Sequence, residues 1–345
     1  MISIICPIYN EEAHIARCID SVLQQDLKEP YELLLVDGKS TDQTVSIIQP
    51  YLKNHPFIHL FENPKRTAPC AMNIGIAQAQ GKIIIRIDAH SEYPNDYCSR
   101  IVEALQTLPN AENVGGVFHC TPLKNSKVSE AICCVLSHPL GVGNGSFRIG
   151  AKEIKEVDTV PFGCFRKSIF EKVGLYNEKL TRNQDIELNE RIRKSGGKIY
   201  LLPNLQIKYK ARSTYSALAK NNFDNGLWNI LTLYYTRNFS ALSLRHFIPL
   251  LFVLSLIVPT LMMLVNPLFG ILSAFSLFVY LILIIGVSVK LNIEKRCGVF
   301  RLVFAFFTLH FSYGWGSLMG LFKVLGKTVN PTSQFSTLSS TISAI

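Results

Sequence analysis

Asp88, Ala89 and His90 close an apolar, β-branched run, Lys82-Ile83-Ile84-Ile85-Arg86-Ile87, and are followed by Ser91-Glu92-Tyr93-Pro94. The run is long enough for one buried strand, and Pro94 suits the opening of the next helix. The carboxylate and the imidazole therefore fall on the loop leaving the carboxyl end of a strand, where open α/β sheets bind ligands. Alternate side chains point the same way, so the two can share one hard or borderline metal ion. A plain turn, with Asp88 capping backbone amides and His90 in solvent, accounts for the same residues. Asp185 is the second acidic candidate. It opens a helical stretch at 183–193 in which Asp185, Leu188, Asn189 and Ile192 share one face, so its carboxylate points inward at the helix end nearest the strand ends. A helix cap, or a favourable charge at the positive end of the dipole, also explains it.

Hydrophobic periodicity supplies the elements that must position these groups. Residues 2–8 form an apolar strand with no signal peptide expected before it. Asn10 is placed to cap a helix whose stripe is Ile15, Cys18, Ile19, Val22 and Leu23. Residues 31–36 form a second strand ending at Asp37-Gly38, and Ser40-x-x-Gln43 reads as a capping box for a helix to about Leu52. A third strand, 58–61, leads through Asn63-Pro64-Lys65-Arg66-Thr67 to a small-residue helix containing Asn73 and Gly75. Four strand–helix alternations predict an α/β fold with a mostly parallel sheet, flanking helices and right-handed crossovers.

Beyond Pro94 the pattern predicts a helix to about Leu108, a strand over 114–120, a helix over 167–173, and the helix at 183–193, stopped by Gly196-Gly197. Residues 199–202 and 205–209 read as strands. The stretch 121–160, with Gly141, Gly143, Gly145 and Gly150, reads as a mobile loop over a site. Its G-x-G-x-G run follows no strand and is given no nucleotide role.

The chain of 345 residues is 48% hydrophobic with a net charge of +10, and past about Arg245 it is almost uncharged. Windows at 247–265, 268–289 and 303–322 lack Lys, Arg, Asp and Glu and match the thickness of a bilayer. The first two form a hairpin through Asn266-Pro267. The third, with His310, Ser312 and three glycines, fits a re-entrant segment as well as a span. Basic residues flank these windows at Lys220, Arg237 and Arg245 and at Lys290, Lys295, Arg296 and Arg301, which places that side in the cytoplasm. With no nucleic-acid recognition motif, anionic membrane lipid is the expected partner of this charge and nucleic acid is not. The nine cysteines show no C-x-x-C pair and read as reduced thiols. The expected organisation is a cytoplasmic domain over 1–212, interfacial amphipathic helices over 213–245, two to three transmembrane helices over 246–325 and a disordered tail over 326–345.

Pro7-Ile8-Tyr9-Asn10-Glu11, Val36-Asp37-Gly38-Lys39-Ser40-Thr41-Asp42-Gln43-Thr44, Asn73-x-Gly75 and Arg86-Ile87-Asp88-Ala89-His90 stand in order within the first 230 or so residues. Together they resemble the family 2 inverting glycosyltransferases of the GT-A (Rossmann-like) fold. Val160-Pro161-Phe162-Gly163-Cys164-Phe165-Arg166 and the stretch from Asn183 to Asn189 look most like the succinoglycan-type glucosyltransferases of bacterial exopolysaccharide synthesis. The resemblance implies a UDP-sugar donor, probed by Pro7, Tyr9, Glu11, Asp37, Arg66, Asn73 and Asp88. Pro7 and Tyr9 line the nucleobase pocket, Asp37 accepts from uracil or ribose, and Arg66 faces the base or diphosphate. Asp88 and His90 match the family's D-x-D and hold a divalent metal, Mn²⁺ or Mg²⁺, on the diphosphate. Asp185 matches the second acid of the E-D pair and is the general base.

Two residues depart from that pattern: His90 stands where the family has Asp, and Gln184 where it has Glu. The Q-x-x-R-W motif of processive synthases is missing, which favours transfer of one hexose, with glucose the expected one. The membrane windows imply a lipid-linked (polyprenyl diphosphate) saccharide as acceptor and an inner-membrane, multi-pass location. The alternatives are a non-catalytic sugar-nucleotide-binding assembly subunit and a processive polysaccharide synthase.

Overall fold

The computed structural model describes residues 1–91 and 93–329. Strand β1 (Ile2–Ile8) is followed by α1 (Ile15–Leu23), β2 (Tyr31–Asp37), α2 (Thr44–Asn54), β3 (Ile58–Glu62), α3 (Ala68–Gln78) and β4 (Ile83–Arg86). The β1–β2, β2–β3 and β1–β4 pairings are all parallel, as the strand–helix alternation requires. The chain continues through α4 (Tyr97–Thr107), β5 (Ala111–Pro122), α5 (Lys127–Leu136), α6 (Pro139–Val142), α7 (Ser146–Ile149), β6 (Lys155–Glu156), β7 (Cys164–Arg166), α8 (Ser168–Val173), α9 (Gln184–Lys194) and β8 (Lys198–Ala211). The eight strands lie in the order β3-β2-β1-β4-β7-β5-β8-β6. Short β7 runs antiparallel to both β4 and β5 and joins two parallel blocks, while β5 pairs in parallel with β8.

Alternation along the strands builds two cores. Ile2, Ile4, Cys6 and Ile8 of β1 face the layer of α1 and α4, with Ile15, Ile19, Tyr97 and Ile101. Ile5 faces the opposite layer, with Met72 and Ile76 of α3 and Leu188 and Ile192 of α9. On that second face α3 lies very close to β1, since a Cβ at Gly75 would stand 2.5 Å from Ile5 Cγ2.

Several local expectations are corrected. Asn10 does not cap α1. Its φ is 54° and its side-chain oxygen accepts from the Thr41 amide at 2.8 Å, tying the β1 loop to the β2 loop. Ser40 caps no helix either, because its hydroxyl donates to the stronger, charged acceptor Asp37 at 2.6 Å and α2 begins only at Thr44. The stretch expected to be a mobile loop holds α5, capped by Ser126 and burying Ala131, Ile132, Val135 and Leu136, together with the short α6 and α7. Its apolar stripe outweighs the surrounding glycines. The two strands expected over 199–209 are one, β8, whose irregular register with β5 absorbs the break between Gly115 and Val117.

Two units are distinguished: Met1–Tyr215 with Val287–Phe306, and Ser216–Gly286 with the chain from Phe307 onward. The first unit thus extends beyond residue 212 to include a late segment. The second holds α10 (Tyr215–Thr236), two 3-10 turns, α11 (Ile248–Met262) and most of α12 (Phe269–Lys295) and α13 (Val299–Val329). Where an interfacial helix was expected, α10 packs on α13, with the Ser317 hydroxyl donating to the Gly226 carbonyl at 3.2 Å. The first apolar window forms a helix of only 15 residues, with Pro259 inside it. At 1.5 Å per residue that is about 22 Å, short of a bilayer core of about 30 Å. Among the described residues, α12 and the stretch of α13 from Val299 to Gly326 are long and apolar enough to cross a membrane. The span-length pair is therefore the second and third windows, not the first and second. Helix α13 also continues through residues assigned to the tail, the rest of which, from 330, lies outside the described residues.

Candidate active site

Strand alternation carries Arg86, Asp88 and His90 of β4 and its loop, and Pro7 and Tyr9 of β1 and its loop, toward the same side of the sheet edge. These five line a cleft of about 220 Å³ together with Glu11, Gly38, Asn63, Arg66 and Thr67. One end is aromatic and cationic, with the Arg66 guanidinium carbon 5.9 Å from the centre of the Tyr9 ring. The other end is acidic around an imidazole. His90 Nδ1 lies 2.7 Å from Asp88 Oδ1 and 3.2 Å from Glu11 Oε1.

Hydrogen bonds donated first to Asp88 and then to Glu11 raise the His90 pKa to about 10, so the imidazole carries a proton at neutral pH. Burial works to raise the Asp88 pKa, but the His90 hydrogen bond, the His90 charge and Arg86 together hold it below the usual carboxylate range. Asp88 also accepts weakly from the His90 amide at 3.3 Å, so the turn and the cluster coexist.

A divalent cation fits these residues. Two carboxylates and an imidazole are hard to borderline donors, and ions such as Mg²⁺ are commonly held by one or two protein carboxylates plus substrate phosphate oxygens. Among the described residues no group of three ligating side chains stands in ready-made metal geometry.

Arg86 also lines the cleft, a residue to which the motifs above assign no role. A lone arginine in the all-aliphatic run of a central strand has to be partnered, and that was the available signal. Burial opposes its charge, yet Tyr176, Asp185 and Asp88 outweigh burial and hold the guanidinium above its ordinary pKa. Its Cζ lies 5.9 Å from the Phe162 ring centre. Asp185, half-buried in the first turn of α9, thus shares a cation with Asp88 although it does not line the cleft itself. Arg86 Nε, Tyr176 Oη and Gln184 Oε1 are buried with no hydrogen-bond partner among the described residues, as groups completed by water or ligand are.

The remaining candidates build walls. Asp37 accepts from the Ser40 amide at 3.1 Å and from the Ser40 hydroxyl, and does not line the cleft. Asn73 accepts from the Tyr176 amide at 2.9 Å and donates to the Tyr176 carbonyl and to Glu178, which fastens α3 to the segment before α9. Backbone strain gathers at the same edge. Asn10, Lys39, Arg66, Phe162 and Asn183 all have φ between 54° and 61°, a conformation kept in non-glycine residues where the surroundings enforce it.

Helix α9 is fixed from below. Asn113 of β5 donates to the Asn189 carbonyl oxygen at 2.8 Å, and Asn189 donates to Thr159 at 2.9 Å, all buried. Asn189→Ala orphans the Asn113 amide, so it should destabilise the protein by about 1–3 kcal/mol and lower kcat more than it raises the donor KM. Thermal melting and steady-state kinetics check both.

A Glycosyl transferase family 2 model matches residues 3–174. The dolichyl N-acetyl-α-D-glucosaminyl phosphate 3-β-D-2,3-diacetamido-2,3-dideoxy-β-D-glucuronosyltransferase of Methanococcus voltae is 31% identical over 331 residues, covering 93% of this chain and 97% of that protein. The succinoglycan biosynthesis protein ExoA of Rhizobium meliloti is 31% identical over 226 residues, 65% of this chain and 67% of its own. A mannosyltransferase from Pyrobaculum calidifontis, solved with GDP-Man and Mn²⁺, has the same fold at a TM-score of 0.58 and 16% identity, covering 93% of this chain and 87% of that one. The chain belongs to glycosyl transferase family 2: it is a glycosyltransferase of the GT-A fold.

Proposed function

We propose that this enzyme is anchored in the membrane and transfers one hexose from a UDP-sugar, glucose first among those to test, to a lipid-linked saccharide. The observation that carries the reading is the cleft itself, with Tyr9 and Arg66 at one end for a nucleotide and Asp88, His90 and Glu11 at the other for a diphosphate and its cation. The full-length relative acts on a saccharide joined to dolichol through phosphate, which supports the acceptor class. Helix α12, 27 residues with its apolar surface largely exposed, supports the anchor, since that surface is stable only in an apolar medium.

In the reaction the acceptor hydroxyl oxygen attacks the anomeric carbon as the bond from that carbon to the diphosphate breaks. UDP leaves with the bonding electrons and the hydroxyl proton passes to Asp185. The face of attack is opposite the leaving group, so the configuration inverts. Asp88 and His90 would hold the cation, which neutralises charge on the departing diphosphate. Arg86, buried beside this site, keeps its positive charge through Tyr176, Asp185 and Asp88 and helps hold the Asp88 carboxyl below its usual range.

Purified enzyme with Mn²⁺, a panel of UDP-sugars and polyprenyl-linked saccharides should yield, by mass spectrometry, an acceptor heavier by one sugar. UDP-sugar binding with no transfer would instead mark an assembly subunit, and a ladder of products a processive synthase.

A further inference from the structure

Arg148, at the end of α7, is half-buried and has no carboxylate partner among the described residues. Its guanidinium carbon stands 5.6 Å from the ring centre of Phe118, 5.4 Å from Phe147 and 5.4 Å from Tyr209. The box is itself well packed. Phe118 and Tyr209 stack at 5.0 Å across β5 and β8, and Phe147 meets Phe118 edge-on at 5.9 Å. Contacts with ring faces fix a guanidinium without using its N–H donors, which remain for a planar or tetrahedral oxyanion.

The position of the box indicates which oxyanion. Phe118 touches Phe162 at 5.4 Å, and Phe162 in turn carries Arg86 over its ring. The box therefore lies across Phe162 from Arg86, on the β5–β8 side of the sheet edge. Tyr9 and Arg66 lie on the β1–β3 side, and no residue of the box lines the donor cleft. A UDP-sugar spanning Tyr9 to Asp88 leaves the Arg148 side to the second substrate.

We propose that Arg148, held in this aromatic box, binds the phosphate that joins the acceptor saccharide to its lipid. This rests on the acceptor class proposed above. Because the guanidinium is held by its faces, lysine should replace it poorly.

The test compares two acceptors of one sugar: N-acetylglucosamine joined to a decyl chain through phosphate, and the decyl glycoside lacking phosphate. Wild type should show the lower KM for the phosphate-bearing acceptor. R148Q should raise that KM by about ten- to a hundredfold, leaving the KM for the neutral glycoside and for UDP-sugar unchanged, and R148K should recover only part of the loss. If R148Q raises both acceptor KM values equally, or changes neither, the box is packing and the assignment of Arg148 falls while the acceptor class stands. If wild type extends the neutral glycoside but never the phosphate-bearing acceptor, the acceptor class fails and this assignment with it.

Discussion

An Asp185→Asn enzyme should bind UDP-sugar as wild type does and turn it over about 10²–10⁴-fold more slowly, the usual contribution of a positioned general base. The substitution preserves size and, at the first turn of α9, a side-chain oxygen for the Ile186 amide, which Asp185 now accepts at 2.9 Å. The fold should therefore survive, and what is lost is the acceptor for the hydroxyl proton. Neutralising Asp185 also removes one of the charges that stabilise the Arg86 guanidinium. Donor affinity by calorimetry beside kcat by product formation separates the two effects. Wild-type turnover in this variant would remove Asp185 from the chemistry, and equal losses in affinity and turnover would make it a structural residue.

Replacing Asp88 by Asn should be as severe, for a different reason. Asp88 is the principal partner of His90, so without it the imidazole pKa falls from about 10 back toward its ordinary value. Cation affinity should drop by at least about tenfold, as expected when a charged ligand is lost. In wild type the cation competes with the His90 proton, so the apparent Mn²⁺ affinity should rise with pH up to about 10 and level off beyond it. The variant should show that rise ending near neutrality. Stability follows the opposite course in metal-free protein. The raised His90 pKa stabilises the fold fully below about 6.5, and the benefit is lost as pH climbs through about 10. Manganese titrations and melting curves at several pH values read both, and a pH-independent Mn²⁺ affinity would exclude His90 as a ligand.

Much of the first half of the molecule is legible because its signals are local. A short apolar run such as Tyr31–Asp37, closed by Asp37-Gly38 and buried on both faces, reads as an interior parallel strand. The position of Asp88 and His90 followed from the end of such a run. What eluded the sequence depends on contacts between distant segments. Asn73-x-Gly75 looks like a ligand motif, yet Asn73 ties down Tyr176 and Gly75 makes room for Ile5. Arg86 takes its meaning from Tyr176 and Asp185, about a hundred residues away in the chain. The glycines of 141–150 concealed α5 upstream, whose stripe of Ala131, Ile132, Val135 and Leu136 is regular once the glycines are set aside.

The late segment that joins the first unit also has a bearing on how the chain matures. Cys297, Leu302, Ala305 and Phe306 are buried, Cys134 and Cys297 sulfurs lie 3.5 Å apart, and Tyr215 donates to the Arg301 carbonyl at 3.2 Å. During synthesis the sugar-binding fold therefore waits for residues made some seventy positions after its last strand, by which time α11 and most of α12 have already emerged. Completion of the catalytic unit and delivery of its apolar helices are consequently one event. The enzyme would thus acquire its finished form only once its long apolar helix α12 has been made.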